Sequence, residues 1–123
     1  MTSLYERVGG QDFFDALVGR FYAAVATDPL LRPLYPDELA DSAEHLALFL
    51  GQYFGGPPTY SDRRGHPRLR LRHAPFVIGV AERDAWLRHM RGAMTSVALE
   101  PSDEQALLEY FEMAATSLQN APR

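Results

Sequence analysis

Apolar side chains recur along this chain every three or four residues, which is the spacing of an α-helix with one buried face. The first such stretch runs from Gln11 to Ala26, and Asp28 followed by Pro29 ends it. Its apolar face consists of Phe13, Phe14, Leu17, Val18, Phe21, Tyr22 and Val25. A linker with three prolines follows, and we expect at most a short turn of helix within it, around Leu31 to Tyr35.

A second helix is predicted to begin at Asp41 or Ser42 and to end at Gly55 and Gly56. Asp41 and Glu44 have the spacing of a capping box, in which two side chains satisfy free backbone N–H groups at the start of a helix. The buried stripe of this helix is predicted to consist of Leu46, Phe49, Leu50, Tyr53 and Phe54.

Two further helices complete the pattern. The first is predicted from Val80 to Ala98, with an inward face formed by Trp86, Leu87, Met90, Met94 and Val97. The second is predicted to begin at the capping pair Ser102 and Gln105 and to end before Pro122. Its apolar positions are Leu107, Leu108, Phe111, Ala114, Ala115 and Leu118. Four principal helices with short connecting pieces indicate an all-α fold.

The segment between the second and third helices, Pro57 to Phe76, has poor periodicity. Arg and Leu alternate from Arg68 to Arg72, which suggests a strand, although Pro67 and Pro75 flank the alternation. An irregular segment of about twenty residues in a compact domain is usually functional. A simple helical bundle needs connections of only a few residues. We therefore expect this segment to leave space between the helices for a bound group.

Positive charge is concentrated in the same segment, although the formal net charge of the chain is −4. Five of the twelve basic residues fall within ten positions, namely Arg63, Arg64, Arg68, Arg70 and Arg72. The acidic balance argues against a general nucleic-acid binder, whose surface tends to be basic. A phosphate or RNA contact, with Tyr60 or Phe76 stacking on a base, stays open as one interpretation. A solvated loop or edge strand whose arginines pair with acidic residues is another.

Length and composition predict a single globular domain of 123 residues, 1–123. The absence of cysteine excludes disulfides, thiolate metal sites, iron–sulfur clusters and cysteine nucleophiles. The N-terminal residues lack the pattern of a secretory signal, and no apolar run approaches the roughly twenty residues that span a bilayer. We therefore expect a soluble, cytoplasmic protein.

Candidate chemistry centres on one of the four histidines, His45, His66, His73 and His89. The sequence contains no His-Glu-x-x-His motif and no convincing zinc or di-iron spacing, and its serines lack the glycine pattern of a nucleophile elbow. His73 differs from the others because apolar residues surround it and the arginines precede it. The apolar neighbours are Leu69, Leu71, Ala74, Phe76 and Ile78.

These surroundings of His73 suit haem. Its iron needs an axial nitrogen, its porphyrin needs apolar walls, and its two propionates need positive charge. Three aromatic residues with polar groups, Tyr22, Tyr35 and Trp86, lie on elements that could converge over such a pocket. The alternative is that their polar groups reach the surface, and from the residues alone both interpretations stay open.

The whole chain resembles the group II truncated haemoglobins, often called the O type. The resemblance rests on motifs in the same order and at similar spacing, from "LYERVGG" to "EMAATSLQN". Between these lie the pairs Phe21-Tyr22, Tyr35-Pro36 and Gly55-Gly56, the long stretch "TYSDRRGHPRLRLRHAPF", and "ERDAWL" with Trp86. The family fold that the resemblance implies is the truncated globin, a two-over-two helical sandwich in which a very short helix carries the iron ligand.

Carried over by position, the resemblance implies that His73 is the proximal ligand of a haem b iron. It implies distal-pocket donors at Tyr22, Tyr35 and Trp86, and a propionate contact at Arg72. Ser42 falls where a distal histidine would stand in other globins, and Leu46 is the apolar distal residue one turn later. Further haem contacts are implied for Tyr60, His66, Leu69, Phe76, Ile78 and Met90. Two departures from the family pattern are His45, where many members carry Arg or Lys, and Phe54, where many carry Trp.

The resemblance implies a haem protein that binds O₂ very tightly and releases it slowly, for oxygen storage, transport or sensing, and that also takes NO and CO. The alternative is a redox enzyme that converts nitric oxide to nitrate or uses peroxide. Such an enzyme would need a partner reductase, because no flavin or nicotinamide motif is present in the sequence. We assign no catalytic residue, and self-association is left open.

Overall fold

The computed structural model describes residues 2–121, apart from the side chain of Arg70. Regular structure in this range is helical throughout, which confirms the all-α prediction. The helices are α1 (Leu4–Val8), α2 (Gln11–Val25), a 3₁₀ helix (Arg32–Leu34), α3 (Ala40–Tyr53), α4 (Thr59–Arg64), α5 (Leu69–His73), α6 (Val80–Met94) and α7 (Pro101–Leu118). None of them is both long and apolar enough to cross a bilayer, within the part of the chain described.

The four long helices form two packed pairs. Helix α2 packs against α3, α6 packs against α7, and contacts between α2 and α6 join the pairs. Phe14, Phe21 and Phe111 are fully buried in the shared core, and burying one such side chain contributes about 1.5–3 kcal/mol. The predicted apolar face of the first long helix is confirmed, since all seven of its residues are buried in α2.

The segment between Pro57 and Phe76 is more regular than the sequence suggested. Residues 68–72 do not form a strand, and no strand occurs anywhere in residues 2–121. Helix α4 is fixed to α3 by a reciprocal pair of hydrogen bonds. The side-chain nitrogen of Gln52 donates to the Ser61 hydroxyl at 2.7 Å. The side-chain oxygen of Gln52 accepts from the Ser61 backbone N–H at 3.0 Å. Helix α5 begins after Arg68, whose φ of 49° turns the chain sharply.

Both predicted helix caps are wrong, because Asp41 and Ser102 each lie inside a helix that begins one residue earlier. Helix α3 begins at Ala40 without a side-chain cap, and Glu44 instead forms a 3.0 Å ion pair with Arg63 of α4. Helix α7 begins at Pro101, also without a side-chain cap. Gln105 donates along α7 to Glu109 at 2.9 Å.

One predicted helix end and one predicted core residue also differ. Helix α6 ends at Met94 rather than Ala98, and Pro122, proposed as the stop after α7, lies outside the described residues. Tyr53 was assigned to the buried stripe of α3, but 52% of its surface is exposed. Its ring lies on Tyr110, with 4.1 Å between ring centroids.

Candidate functional site

A cavity of about 360 Å³ lies between the two helix pairs and the segment that carries α5. This volume is within the range of about 300–1,000 Å³ that small-molecule and cofactor sites occupy. Most of the predicted site residues line it, namely Tyr22, Tyr35, Ser42, Leu46, Tyr60, Leu69, Arg72, His73, Phe76, Ile78 and Trp86. The fold thus brings these predicted residues, which belong to five helices and two connecting segments, to one cavity.

Two predicted site residues lie elsewhere. Met90 is fully buried in the core between the helices, and it is not among the cavity-lining residues. His66 is exposed before α5, where its Nδ1 accepts a hydrogen bond from the Arg68 backbone N–H at 3.1 Å. That contact accompanies the left-handed turn at Arg68, and His66 is not among the cavity-lining residues.

His73 is held in one orientation by its own helix. Its Nδ1 lies 2.7 Å from the carbonyl oxygen of Leu69, one turn earlier in α5. A carbonyl oxygen only accepts hydrogen bonds, so Nδ1 carries the proton and donates. The Nε2 atom of the neutral imidazole is therefore left with a lone pair. This is the arrangement in which a histidine typically ligates a metal while its other nitrogen donates to a backbone carbonyl.

Three polar aromatic residues meet in the same cavity. The rings of Tyr22 and Tyr35 cross edge to face with 5.5 Å between centroids. Trp86 packs against Phe21 of α2 at 5.3 Å and against Phe111 of α7 at 5.9 Å. The predicted convergence of Tyr22, Tyr35 and Trp86 is thus present in the structure.

The hydroxyl of Tyr35 is the polar centre of this aromatic group. Burial raises the pKa of Tyr35 to about 12, although hydrogen bonds from Trp86 and from Tyr22 lower it in part. The pKa of Tyr22 is raised more strongly, first by burial, then by the proximity of the Tyr35 phenol and by the hydrogen bond to it. Both phenols therefore keep their protons at neutral pH, so each is a neutral O–H donor.

The arginine cluster divides between the cavity and the surface. Arg72 lines the cavity, as does His45, and the Nη1 atom of Arg64 lies 3.1 Å from Nε2 of His45. Arg63 instead forms its exposed ion pair with Glu44, of the kind worth about 0–1 kcal/mol. The interpretation that arginines pair with acidic residues thus applies to Arg63. The side chain of Arg70 lies outside the described part of the structure.

Several cavity residues were not assigned to the site from the sequence. The apolar ones come from the linker, α3 and α7, and they are Leu31, Leu34, Pro36, Phe49, Leu50, Tyr110, Ala114, Ala115 and Leu118. The helical period gave a usable signal for some of them, since Phe49 follows Leu46 by three positions. Glu82 and Arg83 of α6 also line the cavity, and no sequence pattern indicated them.

The chemistry of the lining fits a haem. The exposed surface of the cavity is mainly apolar, and Arg72 supplies a cation. Two imidazoles line it: Nε2 of His45 accepts from Arg64, whereas the lone pair on Nε2 of His73 stays available for a metal. Two small residues of α7, Ala114 and Ala115, are part of the lining, and α7 packs against α5. An axial nitrogen, apolar walls and a cation for the propionates are the three requirements of the group.

Comparisons with known proteins agree with this fit. The family model described as bacterial-like globin matches residues 3–120. Group 2 truncated hemoglobin YjbI from Bacillus subtilis is 42% identical over 116 residues, which cover 94% of this chain and 87% of the relative.

Solved structures of bacterial hemoglobins match nearly the whole chain. The thermostable hemoglobin from Thermobifida fusca is 53% identical with a TM-score of 0.95, covering 99% of this chain and 100% of that one. The group II truncated hemoglobin from Bacillus anthracis is 35% identical with a TM-score of 0.94 and covers 100% of both chains. This chain therefore belongs to the bacterial-like globin family, and within it to the group II truncated haemoglobins.

Proposed function

We propose that this chain holds haem b in the cavity through His73 and binds O₂ tightly. The observation that carries the proposal is the 2.7 Å contact between His73 Nδ1 and the Leu69 carbonyl, which leaves Nε2 free to ligate iron. A structure of a relative 41% identical to this chain, from Bacillus subtilis, is described as a truncated oxygen-avid haemoglobin. That description supports the tight binding proposed here.

Bound haem would supply an iron that takes diatomic ligands such as O₂, NO and CO. His73 would hold that iron. Its hydrogen bond to the Leu69 carbonyl would raise the basicity of Nε2 as an iron ligand and keep the ring from rotating. Leu46, Phe49 and Leu69 would exclude water from the faces of the porphyrin, since apolar side chains at these positions line the cavity.

The propionates would meet positive charge at one side of the cavity. Arg72 lines the cavity next to His73 in sequence and has an exposed side chain, so it is the first candidate. Arg64 is the second, because it contacts the cavity residue His45 at 3.1 Å. Hydrogen bonds between guanidinium and carboxylate groups are about twice as strong as neutral ones.

The group of Trp86, Tyr22 and Tyr35 would stabilise a ligand that carries partial negative charge. The two phenols are neutral donors at physiological pH, as their raised pKa values indicate. A hydrogen bond to a charged group contributes roughly 1.5–3 kcal/mol, and about 1.4 kcal/mol is a factor of ten in an equilibrium constant. One such bond is therefore enough to slow O₂ release tenfold or more.

Absorption spectroscopy of the purified chain after addition of hemin tests the proposal. We expect a Soret band, and after reduction and exposure to air a stable oxygenated spectrum. His73→Ala should lose the band or bind hemin much more weakly. His66→Ala is the matched control, because His66 is exposed and lies outside the cavity. Equal hemin affinity in the unmodified chain and in His73→Ala would show that the proposal is wrong.

A further inference from the structure

The side chain of Asn120 spans the loop that follows His73, although the two residues are 47 positions apart. Asn120 comes two residues after the last residue of α7. Its amide nitrogen donates to the carbonyl oxygen of Phe76 at 2.8 Å and lies 3.4 Å from that of His73. Its amide oxygen accepts from the backbone N–H of Ile78 at 2.8 Å. A single side chain thus contacts the start, middle and end of the loop.

The backbone at the end of the described chain strengthens the same connection. The N–H groups of Asn120 and Ala121 both donate to the carbonyl oxygen of Ile78, at 2.8 and 3.1 Å. Ile78 therefore has both its N–H and its carbonyl group bonded to the segment after α7. Inside the loop, the Phe76 N–H donates to the His73 carbonyl at 3.0 Å, which closes a tight turn.

Apolar packing around this loop is sparse, so the hydrogen bonds have a large share in fixing it. Val77 is 71% exposed and Phe76 is 40% exposed, and Leu71 in the preceding helix is 67% exposed. Segments with few buried apolar contacts open locally at low free-energy cost. The contacts of the Asn120 side chain with three backbone groups of this loop restrict that opening.

We propose that Asn120 is a positioning residue for His73, acting as an amide clamp that holds the loop behind the proposed iron ligand. The inference rests on the proposed haem function. Fixing the carbonyl groups of His73 and Phe76 fixes the end of α5, a helix of only five residues. The direction of the His73 imidazole depends on that helix, because both His73 and its acceptor Leu69 belong to it.

Three substitutions test the clamp. Asn120→Ala removes all the side-chain bonds, whereas Asn120→Asp keeps the acceptor for Ile78 and replaces the donor with an oxygen facing the Phe76 carbonyl. Gln119→Ala is the control, since Gln119 is next to the clamp and its side chain donates to the carbonyl of Ala121 at 2.9 Å, with no bond to residues 73–78 among the described contacts. Circular dichroism would verify that each variant retains the helix content of the unmodified protein.

The first measurement is the rate at which each hemin-loaded variant loses hemin to excess apomyoglobin. We expect Asn120→Ala to lose hemin about tenfold faster, the change that about 1.4 kcal/mol of lost hydrogen bonding produces. Asn120→Asp should be affected at least as much, because two oxygens would then face each other. Gln119→Ala should keep the unmodified rate. In the reduced protein, the vibrational band of the iron–histidine stretch should shift or broaden in both Asn120 variants. The same band should stay unchanged in Gln119→Ala.

The second measurement does not depend on hemin. The Phe76 backbone N–H donates to the His73 carbonyl and not to Asn120. The rate of its hydrogen exchange therefore reports how often the loop opens. We expect faster exchange in Asn120→Ala than in Gln119→Ala, in hemin-free and hemin-loaded protein alike.

The outcomes separate the clamp from the proposed function. Unchanged hemin loss, iron–histidine band and Phe76 exchange in both Asn120 variants would overturn the clamp alone. Equal effects of Gln119→Ala and Asn120→Ala would also overturn it, because the whole end of α7 would then be responsible. Failure of the unmodified chain to bind hemin, or full binding by His73→Ala, would overturn the proposed function instead.

Discussion

The Nε2 atom of His89 on α6 lies 2.6 Å from Oδ2 of Asp28, the third residue after the end of α2. The other carboxylate oxygen of Asp28 accepts from the Leu30 backbone N–H at 2.8 Å, and Nη2 of Arg88 lies 4.0 Å from Oδ2. One carboxylate thus ties the linker before α3 to α6, the helix that carries Trp86.

Asp28 makes the stability of the fold depend on pH. The hydrogen bond from His89 and then that from Leu30 hold the pKa of Asp28 below its ordinary value. The contribution of Asp28 is therefore complete above the unfolded pKa, about 3.9, and is lost as the pH falls through the lower folded value. We expect Asp28→Asn to lower the urea midpoint at pH 7. Below pH 4 the urea midpoint of this variant should fall less steeply with pH than that of the unmodified chain.

The control for this prediction is Asp37→Asn, because Asp37 is an exposed linker residue and only its backbone carbonyl accepts a hydrogen bond, from Arg32. Its unfolding curve should follow that of the unmodified chain at each pH. The same pH dependence in Asp28→Asn and in the unmodified protein would contradict the role assigned to Asp28.

Replacing Trp86 should accelerate O₂ release. Trp86→Phe keeps an aromatic ring against Phe21 and Phe111 but removes the indole N–H. That single N–H donates to the Tyr35 hydroxyl when no ligand is present, and we expect it to donate to the bound O₂ instead. Loss of one hydrogen bond to a charged ligand predicts a dissociation rate roughly ten- to a hundredfold higher, measured by stopped-flow displacement of O₂ with CO. Tyr53→Phe serves as the control, because Tyr53 lies outside the cavity lining. An unchanged rate in Trp86→Phe would exclude the indole as a ligand donor.

Tyr35 and Tyr22 should differ in their effect on stability. In the hemin-free protein the Tyr35 hydroxyl receives hydrogen bonds from both Trp86 and Tyr22, so Tyr35→Phe leaves two donors without their acceptor there. That loss costs about 1–3 kcal/mol for each buried group left unpaired. Tyr22→Phe removes one donor and leaves Tyr35 bonded to Trp86, so we expect a loss of about 0.5–1.5 kcal/mol. Urea unfolding of the two variants tests the ranking, and a larger loss in Tyr22→Phe would contradict it.

The long helices could be predicted from the sequence because their apolar faces are repeated over several turns. In α2 the residues Phe14, Leu17 and Phe21 recur at helical spacing and are all fully buried. The convergence of Tyr22, Tyr35 and Trp86 required more than periodicity, since they belong to separate elements. Resemblance to a family supplied that information.

Short helices and caps could not be predicted because local patterns do not determine them. Helix α5 has five residues, too few turns for the helical period to be distinguished from the alternation of Arg and Leu. Helix α4 depends on the contact between Gln52 and Ser61 across nine positions. Glu44 was a reasonable capping residue by spacing, but Arg63 from another helix is its partner.

Contacts between distant segments were likewise hidden from the sequence. Arg83 reaches the cavity from α6 while its Nε donates to the Thr116 hydroxyl of α7 at 3.0 Å. Asn120 bonds to a loop more than forty positions earlier. No spacing rule connects such pairs, because the fold alone brings them together.

Two helical glycines should respond to alanine in opposite directions. A Cβ atom at Gly19 in α2 would have no atom within 4 Å, so Gly19→Ala should stabilise the fold by about 0.5–1 kcal/mol through the lower backbone entropy of alanine. At Gly51 in α3, the Cβ atom would lie 2.5 Å from Oε1 of Gln11 and 3.2 Å from Tyr5. Gln11 would have to move, and its 2.9 Å hydrogen bond to the Ala47 carbonyl would be lost.

We therefore expect Gly51→Ala to destabilise the fold by about 0.5–1 kcal/mol, because the lost Gln11 hydrogen bond and the shift of the Tyr5 ring outweigh the gain in helix propensity. Both glycines lie inside long helices, so the two variants gain the same helical propensity and differ in the space around the added methyl group. Urea unfolding measures the difference directly. Stabilisation by both substitutions would show that the Gln11 side chain yields at no cost, and that the close packing of α1 and α2 on α3 does not require glycine at this position.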